Sequence, residues 1–212
     1  MSNEAMQISY NQDLAQLTSV LASVRRAGDF CTHGHLETPM PRIVVTGVGT
    51  LAFPIQPMQV QELIRAAERA PYGKGPNTVV DLAVRRVWQV PAPSLTISGK
   101  SWPQTFANIL SQVALGLGVD ATHVAAELYK LLIYDEGSFF VKHRDTEKID
   151  GMFGTLLISL PSEHQGGELV VRHGGREAII DLSTSENSEL TFAAFYADTE
   201  HEVRLVKTGN RV

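Results

Sequence analysis

The sequence predicts an α+β chain with a mainly β core, and three observations carry that expectation. Two segments of helical periodicity, 58–70 and 102–117, lie in the first half. After Val119 the chain changes to short extended runs separated by glycine turns. Gly174-Gly175 stands between two alternating runs, a two-residue hairpin signal because both turn positions need positive φ. Such runs without intervening helices indicate an antiparallel sandwich or barrel. At 212 residues the chain can bury most of its apolar surface in one core.

Taken in order, residues 11–27 place Leu14, Leu17, Val20, Leu21 and Val24 on one face of a short amphipathic helix ending near Gly28. Cys31-Thr32-His33-Gly34-His35 reads as a surface loop, so residues 1–40 form an N-terminal helix and loop appendage. Residues 41–212 read as a single domain, with 41–119 as helix and strand support and 120–212 as the β core. Arg42 to Thr46 is strand-like, a second extended piece runs from Leu51 to Ile55, and Pro57 opens the helix over 58–70. Residues 71–77 read as a mobile loop, and Thr78 to Val90 as one or two strands around Arg85, Arg86 and Trp88. The helix over 102–117 is closed by Gly116 and Gly118. The strands expected beyond it are 124–134, 139–143, 154–160, 168–173, 176–182, 190–196 and 201–206.

Composition narrows the function. The formal charge is -5, and the basic residues come as scattered pairs with no stripe to follow a phosphate backbone, so no nucleic-acid partner is expected. A lone cysteine, Cys31, rules out an internal disulfide and fits a reducing compartment. The N-terminus has no apolar run of a signal peptide, and no stretch of the chain has the length and apolarity of a membrane span. The expectation is a cytoplasmic protein without a membrane partner.

The chemistry concentrates at Tyr134 to Asp145. His143 and Asp145 are two residues apart, so on an extended segment their side chains leave from one face and can converge on one ion. Two imidazoles and a carboxylate form the facial set that suits non-haem Fe(II) and leaves three coordination positions open. His201 is the candidate third ligand. Arg211 follows ten residues later, and if Lys207 to Asn210 turn, it lies in a hairpin beside the strand of His201. An arginine presents a charged planar fork to a carboxylate. Arg204 and Lys207 are its rivals, the first expected to point outward and the second to fall in the turn. His123, His164 and His173 are expected to be solvated.

With Tyr-x-x-Gly ahead of His143-x-Asp145, the Gly166-Gly167 pair opening a strand, and His201 followed by Arg211, the chain from about Leu128 to Val212 resembles the Fe(II)/2-oxoglutarate-dependent dioxygenases, in their prolyl-4-hydroxylase-like branch. The resemblance implies a double-stranded β-helix, the cupin-like jelly roll, with N-terminal supporting helices and strands. It implies Fe(II) held by His143, Asp145 and His201, and 2-oxoglutarate paired through its distal carboxylate with Arg211. Tyr134 matches a family tyrosine near the oxoglutarate, and Thr155 and Ser159 are further candidates for that pocket. The implied reaction uses O2 and decarboxylates 2-oxoglutarate to succinate and CO2 while hydroxylating an aliphatic C–H, with ascorbate as an accessory reductant. A prolyl residue of a peptide or protein is the expected substrate, and a small molecule the alternative. Phe140 stands where prolyl hydroxylases often carry a second tyrosine, and Asp145 argues against the halogenating relatives. The chain ends one residue after Arg211, read as a shortened last strand or a truncated sequence. Tyr72 to Val80 occupies the place of a substrate lid, and Arg86 and Trp88 either touch substrate or fill the core. A non-catalytic jelly-roll binding module and a zinc hydrolase with the same ligands remain the readings from other classes.

Overall fold

The computed structural model describes residues 13–21, 23, 24, 27–74, 77–184 and 186–212, with 74, 77 and 78 described by backbone alone. Helix α1 spans 13–21. It is followed by strands β1 (Cys31–Glu37), β2 (Arg42–Val45) and β3 (Gly49–Thr50), then helix α2 (Pro57–Ala66). Strands β4 (Glu68–Arg69), β5 (Tyr72–Lys74), β6 (Asn77–Val79), β7 (Arg85–Arg86), β8 (Trp88–Pro91) and β9 (Leu95–Ser98) lead to helix α3 (Trp102–Leu117). The second half is extended: β10 (Lys130–Ile133), β11 (Phe139–His143), β12 (Gly154–Ser159), β13 (His164–Gly166) and β14 (Leu169–His173). It ends with β15 (Arg176–Ile180), β16 (Glu189–Tyr196), β17 (Glu200–Val203) and β18 (Val206–Gly209).

Two antiparallel sheets enclose the main core. One has the order β15-β14-β17-β11-β7, the other β1-β16-β12. The second sheet continues past β12, because Leu160 donates its N–H to the Val212 carbonyl at 2.9 Å. Arg211 and Tyr134 then exchange both backbone hydrogen bonds, joining this last segment to the end of β10. Phe140, Leu169, Val171 and Val203 of the first sheet meet Ala193 and Phe195 of the second in one buried cluster. Residues of β16 alternate between faces: Ala193 and Phe195 point into that cluster, while Phe192 and Ala194 pack on Ile109, Val113 and Leu117 of α3. Both faces are thus apolar, which is why Leu190 to Phe195 carries almost no polar residue in a strand that elsewhere would alternate. Burying one phenylalanine this way contributes roughly 1.5–3 kcal/mol.

Helix α3 keeps its expected limits. Gly118 caps it in the left-handed region at φ 72°, where a residue with a Cβ would be strained. Helix α2 opens at Pro57 but stops at Ala66, short of the expected residue 70, because Glu68 and Arg69 pair with β8 and Arg69 lies 3.4 Å over the Trp88 ring.

Tertiary pairing overrides four other sequence expectations. Residues 31–35 are not a loop but the start of β1, paired along its whole length with β16. Gly34 permits this, since a Cβ there would stand 2.8 Å from the Phe192 ring. Within 71–77, β5 and β6 form an antiparallel ribbon instead of a loop; Gly75 and Pro76 lie outside the described residues. The extended piece at Leu51 to Ile55 is irregular, with Leu51 and Ile55 buried under α2. The single strand expected over 201–206 is two: β17 pairs with β14 and β11, and β18 pairs with β13 in a separate sheet. The chain therefore passes from one sheet to the other at Arg204-Leu205, and the hairpin expected to set Arg211 beside His201 does not form. Leu17, Val20 and Leu21 of α1, and Val24 beyond it, are more than half exposed. Among the described residues no helix is long and apolar enough to cross a membrane.

Candidate metal and cosubstrate site

His143 closes β11 and is register partner of His201 on β17, so strand pairing alone sets the two imidazoles side by side, with ring centres 4.2 Å apart. A register shift between Phe140 and His143 turns the end of β11 so that His143 faces the core. Asp145 follows in the loop and reaches back, its Oδ1 lying 3.8 Å from Nε2 of both histidines. One ligand atom from each of the three falls within 4.8 Å of the others, the spacing that a single ion can gather.

The surroundings orient each group. The Nδ1 atoms of His143 and His201 face the carbonyls of Val141 and Thr199, at 2.8 and 3.2 Å. Protonated Nδ1 donating to those carbonyls leaves the Nε2 lone pairs turned toward Asp145. Thr155 donates its hydroxyl to the other carboxylate oxygen of Asp145 at 2.6 Å. Phe140 stacks on His143 at 3.5 Å between ring centres, and Phe195 lies 4.4 Å from His201. Burial is the main reason that His143 is pushed down to about 4, with the neighbouring His201 adding to it; burial likewise lowers His201. Both rings are therefore neutral bases at physiological pH, the form that binds a metal. Two imidazole nitrogens and one carboxylate, on one side of the cluster, match the donor set of non-haem Fe(II).

Arg211 lies across the core from this cluster, in the second sheet. It is 5% exposed, donates from Nη1 to the Gly167 carbonyl at 2.6 Å, and has its guanidinium 5.3 Å from the Tyr134 ring centre. Burial lowers it from its ordinary value, while Tyr134 and Asp181 pull it upward. Among the described residues no carboxylate lies within ion-pair distance. A buried guanidinium held by one carbonyl and one ring is suited to receive an anionic ligand. The glycine pair shapes this corner: both take φ 76°, and a Cβ on Gly167 would press on Val206 at 2.9 Å.

The other expected residues fall as follows. Tyr134 is buried beside Arg211. Thr155 lies against Asp145 at the metal-ligand end, and Ser159 is two repeats of the pleat further along β12, 3.4 Å from the Val212 carbonyl. Arg204 and Lys207 are exposed, which leaves Arg211 as the buried cation of the three. His164, expected to be solvated, is half-buried in β13; its Nδ1 faces the Ser162 carbonyl at 3.1 Å, and burial is the first cause of its lowered value. A Cβ on Gly167 would touch both the Arg211 stem and the His164 ring, so the two side chains share that corner. Trp88 packs on the second core under α2, and Gly137 of the Tyr-x-x-Gly pattern turns at φ 80° where a Cβ would meet Arg86. Sequence reading passed over Arg85, which is 8% exposed; its only signal was a basic residue in an otherwise strand-like run.

Comparison with known proteins follows the same division of the chain. The family model of the 2OG-Fe(II) oxygenase superfamily matches residues 129–212. No curated protein matches the chain. Among solved structures, a prolyl hydroxylase from Trichoplax adhaerens, in complex with a hypoxia inducible factor oxygen degradation domain peptide fragment, aligns with 97% of this chain and 89% of its own at 14% identity and a TM-score of 0.50. An oxidoreductase of the 2OG-Fe(II) oxygenase family from Burkholderia pseudomallei aligns at 18% identity over 74% of this chain and 76% of its own, with a TM-score of 0.39. A Pseudomonas putida prolyl-4-hydroxylase aligns at 16% identity over 60% and 69%, with a TM-score of 0.38. The match of residues 129–212 to the 2OG-Fe(II) oxygenase superfamily covers the whole of the His143, Asp145, His201 and Arg211 constellation and supports 2-oxoglutarate-dependent dioxygenase as the enzyme class.

Proposed function

We propose that the chain hydroxylates an aliphatic C–H of a prolyl residue in a peptide or protein, consuming O2 and converting 2-oxoglutarate to succinate and CO2. The observation that carries this reading is the convergence of His143, Asp145 and His201 on one point, opposite a buried Arg211 that has no carboxylate partner among the described residues. In this reading His143, Asp145 and His201 hold Fe(II), and Arg211, with Tyr134 beside it, receives the distal carboxylate of 2-oxoglutarate. When bound, the iron supplies the oxygen activation that no side chain can perform. The protein's part is placement: Thr155 fixes the Asp145 carboxylate, the Val141 and Thr199 carbonyls fix the imidazoles, and the phenylalanines around them exclude water.

The fold belonging to this reading is the double-stranded β-helix. Its support is the pairing order: β11, β17, β14 and β15 in one sheet, with β10, the 211–212 segment, β12 and β16 in the other. Residues 120–212 form most of that core, 41–119 support it, and the N-terminal segment 1–40 adds β1 to its second sheet. The peptide-bound Trichoplax prolyl hydroxylase shares the fold and favours a peptide over a small molecule. The β5–β6 ribbon, which opens at Tyr72 against the main core, serves as the substrate lid. Ascorbate acts as accessory reductant, and the compartment is the cytoplasm.

The test is succinate formation by purified chain with Fe(II), ascorbate and 2-oxoglutarate, alone and with proline-containing peptides. Succinate that rises with peptide, together with a mass gain of one oxygen on proline, supports the reading. Metal binding without any response to 2-oxoglutarate would instead favour a binding module, and turnover with zinc alone a hydrolase.

A further inference from the structure

The main core holds a second buried arginine besides Arg211. Arg85 on β7 is 8% exposed. Its Nη1 donates to the Pro71 carbonyl at 2.7 Å, and its Nε is buried without a hydrogen-bond partner. No carboxylate among the described residues pairs with it. The guanidinium lies 4.4 Å over the Phe140 ring, whose other neighbour is the His143 imidazole at 3.5 Å. Laid end to end, these distances put the charge within about 8 Å of the His143 ring, close enough for a poorly screened charge to be felt there.

A buried arginine with an orphaned N–H is costly unless something completes its shell. Stacking on Phe140 and the Pro71 carbonyl satisfy only part of it. A planar fork with a free edge takes a carboxylate best.

We propose that Arg85 is an anion-binding residue at the margin of the site, receiving a carboxylate at the unpartnered Nε edge of its guanidinium, beside the Phe140 ring that stacks on His143. This rests on the metal-site reading given above. The carboxylate comes either from the metal-facing end of 2-oxoglutarate or from an acidic primary substrate, and the two sources separate experimentally.

The full chain loaded with Mn(II) is titrated with 2-oxoglutarate, and with 2-oxobutanoate, which keeps the keto acid end and lacks the distal carboxylate. In a third arm, acetate is added to the 2-oxoglutarate-saturated protein, and the Mn(II)-induced relaxation of its methyl protons is measured. Arg85→Gln is expected to weaken binding about tenfold or more, the worth of a charged hydrogen bond. A loss shared by both keto acids identifies the cosubstrate as the source. Intact keto acid binding with the acetate relaxation abolished identifies a substrate anion. Arg85→Lys restores part of the loss in either case. If Arg85→Gln fails to fold, Arg85→Met, which keeps the stem on Phe140, takes its place. Unchanged binding of all three probes in the folded variant overturns the proposal. Arg211→Gln, run in parallel, weakens 2-oxoglutarate and spares 2-oxobutanoate. If neither keto acid binds the unsubstituted chain, the cosubstrate reading fails, and acetate relaxation in the Mn(II)-loaded chain still decides for or against Arg85.

Discussion

The two ends of the core are built in opposite ways. At the His143–Asp145–His201 end, three side chains close on one point, and a separate hydrogen bond steadies each: the Val141 carbonyl, the Thr155 hydroxyl and the Thr199 carbonyl. At the Arg211 end a single guanidinium is held by the Gly167 carbonyl and the Tyr134 ring. The first end is a cluster of neutral bases and one carboxylate that needs a cation; the second is a cation that needs an anion. Orientation is supplied in advance where geometry must be tight, and charge is supplied in advance where a flexible ligand can adjust.

The difference can be broken at either end. Asp145→Ala should have the largest effect, removing the only carboxylate of the cluster. Metal affinity should fall more than ~100-fold, beyond the loss expected for an outer-shell partner, and succinate formation should cease while thermal stability changes little. Metal retained at full affinity in a dialysis measurement would break the ligand assignment. Arg211→Gln should spare the metal and raise the 2-oxoglutarate dissociation constant by roughly 30-fold or more, as when one partner of a buried charged pair is truncated. Calorimetry on the metal-loaded chain separates the two effects. Thr155→Val, which keeps the shape and loses the hydrogen bond to Asp145, should weaken metal binding by about 10-fold and leave 2-oxoglutarate affinity at saturating metal unchanged.

The pH dependence of the metal-free chain tests the same end more gently. His143 sits near 4 in the folded chain against 6.5 unfolded, and His201 is lowered too, so the unfolded state binds more protons between these values. Stability contributed by the neutral histidines is complete above about 6.5 and is lost as pH falls toward 4. The melting temperature should decline over that window, and the decline should flatten in His143→Asn. The smallest effect is expected from Arg204→Ala, at an exposed position, within about 0.5 kcal/mol and with both ligands bound normally.

What could be read in advance follows the range of the interactions. His143 and Asp145 are two residues apart, so period-two geometry brings them together with no knowledge of the fold, and α3 declares itself by sixteen residues of helical spacing. His201 needed one long-range fact, that β17 pairs beside β11. The route to Arg211 needed a different one: the chain leaves β17 to pair β18 with β13 in a separate sheet, and Gly209 fits against Glu163 where a hairpin turn was expected. Cys31 to His35 reads as a loop because its pairing with β16 spans most of the chain, and Gly34 looks like a breaker until the Phe192 ring behind it is seen. Arg85 and His164 do not stand out in the sequence, because burial, not residue type, sets them apart.

The central claim is that one metal ion, held by His143, Asp145 and His201, is shared with a 2-oxoglutarate anchored on Arg211. Anaerobic titration of the chain with Fe(II) and then 2-oxoglutarate, followed by absorption and calorimetry, tests it most directly. One Fe(II) per chain, tight 2-oxoglutarate binding only with metal present, loss of the first step in Asp145→Ala and of the second alone in Arg211→Gln are the predicted results. Binding of 2-oxoglutarate that is indifferent to metal and to Arg211 would contradict the account.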